Sequence, residues 1–160
     1  MAEEKLFTKD VAEFTDVISK VNHTINVIGI KETINSLDKA KILGIFKTKD
    51  NAINHVLDCV CEVMSINRDE LLLNNNRTEE KKIAWALIVY HCKNTLKLEI
   101  EEVWFFFDKR VLIRQFYKQY ALVKNTNMKQ PKSVFEKRIK ECFEHSLEKI
   151  NIDNYGKKRK

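Results

Sequence analysis

Three glycines and one proline among 160 residues are too few for a protein built of sheets. Hairpins and tight turns draw on both residues, because glycine enters positive φ without penalty and proline pre-sets a turn. A chain with almost neither must consist of helices joined by polar connections. The expected fold class is therefore all-α, a multi-helix bundle. Hydrophobic residues at 44% with charged residues at 32% suit a folded chain. At this length about 70% of the unfolded surface is buried on folding, so no disulfide or metal staple is required.

Several classes are excluded by pattern. The longest strictly apolar run, Ile83 to Tyr90, is far shorter than the roughly 20 residues that cross a bilayer. Met1 to Lys9 lacks the apolar centre of a secretory leader, and Cys59, Cys61, Cys92 and Cys142 follow no disulfide-scaffold spacing. A cytoplasmic location is the expectation. Glycines stand only at Gly29, Gly44 and Gly156, so no phosphate-cradling loop can be written.

Helical periodicity is clearest at the start. Val11, Phe14, Ile18, Val21, Ile25 and Ile28 recur at alternating steps of three and four, and Gly29 follows as a stop. This helix, about Lys9 to Ile28, carries a strict narrow seam that suits packing within the chain or against a second copy as a homodimer. Further helices are expected over Lys31 to Leu43, from a Thr48 or Asp50 cap to Met64, and over Arg68 to Leu72 behind Asn67. Beyond the polar run Asn74 to Arg77, Thr78 caps a long helix ending near Leu96. Glu99 to Phe107 and Lys109 to Val123 read as two helices parted by a tight bend at Asp108. Lys132 to Ile150 reads as the last. Residues 1–47 then form an N-terminal extension, 48–125 the main domain, and 126–160 a C-terminal helix with a basic tail, together one compact unit.

Charge is distributed unevenly. Residues 1–50 balance at 8 basic and 8 acidic, residues 51–107 carry 6 and 9, and residues 108–160 carry 15 and 6. The whole basic excess lies in the last third, as expected where one surface meets a polyanion. A long helix, a short helix, a bend and a basic helix in succession is also the order of a helix-turn-helix. On its last helix Lys109, Arg110, Arg114, Gln115 and Lys118 are polar, and Arg110, Arg114 and Lys118 step by four along one face. Such a face neutralises phosphates, while Arg114 or Gln115 reaches base edges.

Ile53-Asn54-His55-Val56, Ser65 to Leu72, Asn76-Arg77 with Lys81-Lys82, Ile83 to Leu87 and Leu96 to Val103 form a wider pattern. In these residues the stretch 52–124 resembles the C-terminal DNA-binding domain of the bacterial replication initiator DnaA, of the Trp-repressor-like helix-turn-helix group. The resemblance covers under half of the chain. It implies a helix-turn-helix core, double-stranded DNA binding, and Arg77 as a backbone or minor-groove contact. The family's recognition helix opens with Asp-His-Thr-Thr-Val, whereas this chain has Asp108-Lys109-Arg110-Val111-Leu112, so its DNA site is not carried over. The initiator's ATPase domain has no counterpart.

Val103-Trp104-Phe105-Phe106-Phe107 places five bulky residues around a helix, so Trp104 or Phe105 must face outward or meet another segment, including a partner. His55 and Cys59 stand one turn apart with Cys61 nearby, but a fourth metal ligand is missing. His91-Cys92 point about 100° apart on a helix and read as core residues rather than nucleophile and base. The expectation is a non-enzymatic DNA-binding protein of transcriptional regulation or replication control, bacterial or phage-like, without cofactor. Lys81 and Lys82 would flank the contact helix, and Lys157 to Lys160 would add non-specific attraction. The rival is a protein-interaction module on the same scaffold.

Overall fold

The computed structural model describes residues 2–73, 78–107 and 112–151, with side chains described from Val11 onward. These residues form α1 (Ala2–Ile28), α2 (Ile30–Phe46), α3 (Lys49–Met64), α4 (Arg68–Leu72), α5 (Glu79–Asn94), α6 (Ile100–Phe106), α7 (Ile113–Lys124) and α8 (Val134–Ile150), with no strand among them. The protein is all-α, as the scarcity of turn residues requires.

Four helices begin where a short polar side chain replaces the missing partner of a first-turn amide. Thr48 accepts from the Asn51 amide at 3.1 Å, Asn67 from Asp69 at 2.8 Å, Thr78 from Lys81 at 3.3 Å and Ser133 from Glu136 at 3.1 Å. At α6 the Glu102 carboxylate reaches back to the Glu99 amide at 2.8 Å. Ser65, in the left-handed region at φ 53, closes α3.

The chain divides into two units, residues 1–40 and 41–160. In the first, Gly29 at φ 87 separates α1 from α2, and a side chain there would be strained by the backbone alone. Among side chains 11–40 only Thr33 is buried, its hydroxyl donating to the Gly29 carbonyl at 2.8 Å. Val11, Phe14, Val17, Ile18, Ile28, Ile30, Ile34 and Leu37 all stand exposed. Among its described side chains this unit has an apolar seam but no buried apolar residue.

The second unit has a continuous core from Ile42 to Ile150. Its centre is α5, which packs on α3, α6, α7 and α8. Ile83, Ala84, Ala86, Leu87, Ile88, Val89, His91 and Cys92 are all buried, so α5 is covered around most of its circumference. α3 also packs on α4 and α8, and α6 on α7. Trp85 meets Phe107 edge-on at 4.8 Å and Phe116 at 6.0 Å, which joins α5 to the end of α6 and to α7.

His91 pins α8 to this centre. Ser146 donates to the Phe143 carbonyl at 3.0 Å, so its oxygen is left to accept from His91 Nε2 at 2.8 Å. His91 Nδ1 then accepts from the Thr95 hydroxyl, 3.3 Å away. The ring also stacks on Phe143 at 5.3 Å and 2°. His91 is thus a neutral, hydrogen-bonded core residue, and its neighbour Cys92 is fully buried with its thiol pushed up by desolvation.

Two expectations follow. Leu87→Ala should cost about 2–5 kcal/mol in a urea titration, because it opens a cavity in the middle of the core. Val134→Ala, at an 83% exposed position, should stay within about 0.5 kcal/mol; equal costs would contradict this packing. Burial lowers His91 from 6.5 to about 4. Below pH 6.5 the unfolded chain takes up this proton and the folded chain does not until about pH 4. Stability is therefore lost as pH falls through that window, by up to about 3 kcal/mol. His91→Gln should flatten the dependence of the urea midpoint between pH 6.5 and 4.5, and an unchanged slope would assign it to other groups.

Candidate nucleic-acid interface

α7 has two unlike faces. Phe116 and Val123 are buried, and Tyr120, stacked on Tyr90 of α5 at 5.6 Å and 20°, belongs to the same inward side. Arg114, Tyr117 and Lys118 are exposed at spacings of three and four, which places them on one outward stripe. Gln115 is half-buried beside it. Neither Arg114 nor Lys118 forms an ion pair with a carboxylate among the described residues, whereas Lys49, Arg68, Lys81, Lys93, Arg138, Lys140 and Lys149 all do.

The helix itself is shorter than its sequence pattern. Residue 112 is extended at φ −60 and ψ 133, and α7 starts at Ile113 rather than at Lys109. α6 ends at Phe106, and residues 108–111 lie outside the described residues. α6 and α7 both lie on α5 and on each other. Among the described residues of α7 the four-residue step joins Arg114 to Lys118. Arg77, Lys109 and Arg110, with the tail Lys157 to Lys160, lie outside the described residues.

The two flanking lysines differ sharply. Lys82 is exposed, its ammonium 5.4 Å from the centre of the Phe135 ring. Lys81 is folded inward, its side chain 10% exposed and its Nζ 3.4 Å from Glu70 of α4. The neighbouring acids that dilute this stretch in sequence are themselves engaged, since Arg138 of α8 lies 3.1 Å from Glu80 and 3.7 Å from Glu79.

A further acid borders the α7 stripe. Tyr117 donates its hydroxyl to Glu101 of α6, which holds the Glu101 carboxyl below its ordinary range and raises the Tyr117 phenol. Glu101 is thus charged at neutral pH beside the cationic face. Its partners on α6 are tied elsewhere, Glu102 to Lys49 and Glu99 to Lys93. Sequence spacing missed Tyr117, although its position between Arg114 and Lys118 is a legible signal. The contact with Glu101 joins two helices and has no sequence signal.

Of the aromatic run, Val103 is buried, Trp104, Phe106 and Phe107 are half-buried, and Phe105 is 59% exposed. Phe105 turns outward against the edge of Trp104, 5.5 Å away. Leu112, just before α7, is also exposed. His55 and Cys59 lie together, the Sγ 3.7 Å from the ring Nε2, beside Phe46. Burial lowers the imidazole and pushes the Cys59 thiol up to about 11. No group of three or more potential metal ligands occurs among the described residues, and none of their helices is long and apolar enough to cross a membrane. No family model, curated protein or solved structure matches the chain.

Proposed function

We propose that the protein binds double-stranded DNA through a helix-turn-helix formed by α5, α6 and α7, in transcriptional regulation or replication control. The observation that carries this reading is the outward stripe of α7, where Arg114 and Lys118 stand exposed and unpaired with any described carboxylate. In the same unit Lys49, Arg68, Lys81, Lys93, Arg138, Lys140 and Lys149 are held in ion pairs. A 12-residue helix spans about 18 Å, enough to lie in a major groove. Support also comes from the order of elements: a helix, a short helix, a polar stretch, a long central helix and two further helices is the order implied by the resemblance to the DnaA C-terminal domain.

In this reading α7 is the recognition helix. Arg114 presents a planar fork to a guanine edge, Gln115 reaches an adjacent base, and Lys118 neutralises phosphate. Lys82 makes a flanking phosphate contact. Arg77, Lys109, Arg110 and the tail contribute charge. Lys81 is left out because its ammonium is held by Glu70.

A second reading, a protein-interaction module on the same scaffold, is favoured by the exposure of Phe105, Leu112 and Tyr117 at the α6–α7 end of the unit. Glu101 opposes a phosphate backbone and not a protein partner.

Fluorescence anisotropy with a labelled duplex separates the two. Binding should weaken steeply with salt, with a slope of log K on log salt near −5 for about six phosphate contacts. Arg114→Ala should cost about 1–3 kcal/mol at a preferred site and leave the melting temperature in place. If instead this change lowers the melting temperature and leaves DNA affinity intact, α7 is a scaffold helix and the second reading stands. Glu101→Gln should tighten binding to every duplex by several-fold at low salt, because it removes a negative charge beside the stripe. Unchanged affinity would place Glu101 away from the DNA.

A further inference from the structure

Within the first unit an apolar row on α1 is left uncovered by α2. Val11, Phe14, Ile18, Val21, Ile25 and Ile28 hold the alternating three- and four-residue step of a coiled-coil seam over two and a half heptads. Four of the six are exposed, Phe14 at 65%, and Val21 and Ile25 are half-buried. A soluble helix does not keep such a row in water without a partner.

The flanks of the seam indicate which partner. Between Val11 and Ile28 the positions beside it are Thr15 and Asn22 on one side and Val17 and Thr24 on the other, and none of these carries a charge. Thr15 donates its hydroxyl to the Val11 carbonyl and Thr24 to the Lys20 carbonyl, both at 2.8 Å. Their polar hydrogens are thus satisfied within the helix and need no water when covered. The charged side chains of this stretch, Glu13, Asp16 and Lys20, lie on the far face, where Asp16 and Lys20 pair with each other. Coiled coils choose different partners through opposite charges at these flanking positions. A helix with neutral flanks has no such selector, and two identical copies meet on it without like-charge repulsion.

We infer that α1 is a self-association helix, and that its seam is covered by the α1 seam of a second copy of this chain. Gly29, at φ 87, ends the paired stretch. The contact is independent of whether the other unit binds DNA.

Sedimentation of the full chain tests it. The unaltered protein should be oligomeric at tens of micromolar. A chain with Val17→Glu and Asn22→Glu, and a second with Val17→Lys and Asn22→Lys, should each be monomeric alone. An equimolar mixture of the two should reassociate, whether the helices run parallel or antiparallel. Both positions are exposed, so the melting temperature of the core should not change. A monomeric unaltered chain would overturn the inference, as seam closure within the chain. Charged chains that associate alone would overturn it by locating the contact elsewhere, and so would a mixture that stays monomeric.

Discussion

The burial of α5 is the constraint on which the second unit depends. A helix with apolar residues at nearly every position from Ile83 to Cys92 cannot face water on any side, so four other helices are needed to surround it. That requirement determines what each neighbour shows to the outside. α7 gives its Phe116, Tyr120 and Val123 face to α5 and is left with Arg114, Tyr117 and Lys118 for solvent. α8 gives Ile139, Ser146 and Ile150, and the polar Ser146 is tolerated there because His91 meets it. The cationic stripe is thus a by-product of packing in its position, and a matter of residue choice in its charge.

Electrostatics sort the surface further. Several surface acids of the unit are matched by bases from other helices, Glu102 by Lys49, Glu80 by Arg138 and Glu62 by Lys149. Surface pairs of this kind contribute little stability. Their consequence is rather that they neutralise those acids, while Arg114 and Lys118 on α7 keep an exposed charge with no described carboxylate against it. Glu101 is held by a neutral phenol and so remains a net negative charge at the edge of the stripe.

Helix content and several helix starts were legible because they rest on local chemistry, although α1 begins at Ala2 and not near Lys9. Thr48, Asn67 and Thr78 each cap the helix that spacing assigns to them, and α4 falls on Arg68–Leu72 as its cap residue predicts. The start of α7 was not legible. The sequence pattern runs back to Lys109, whereas Leu112 is extended and the helix begins at Ile113, a boundary that local periodicity does not report. The burial of Lys81 was hidden for the same reason, since a lysine beside Lys82 looks equally exposed until Glu70 of another helix is placed against it. The seam of α1 was visible in sequence, and the structure adds that α2 does not cover it within the first unit.

Mapping DNA contact onto individual amides tests the central claim most directly. In a two-dimensional nitrogen–proton NMR titration of the full chain with a short duplex at low salt, the account predicts the largest shifts on residues 112–119 and at Lys82. It predicts small shifts on α3 and on the far side of α8. No perturbation of α7 at saturating duplex, or the largest changes on α3 and α8, would contradict it.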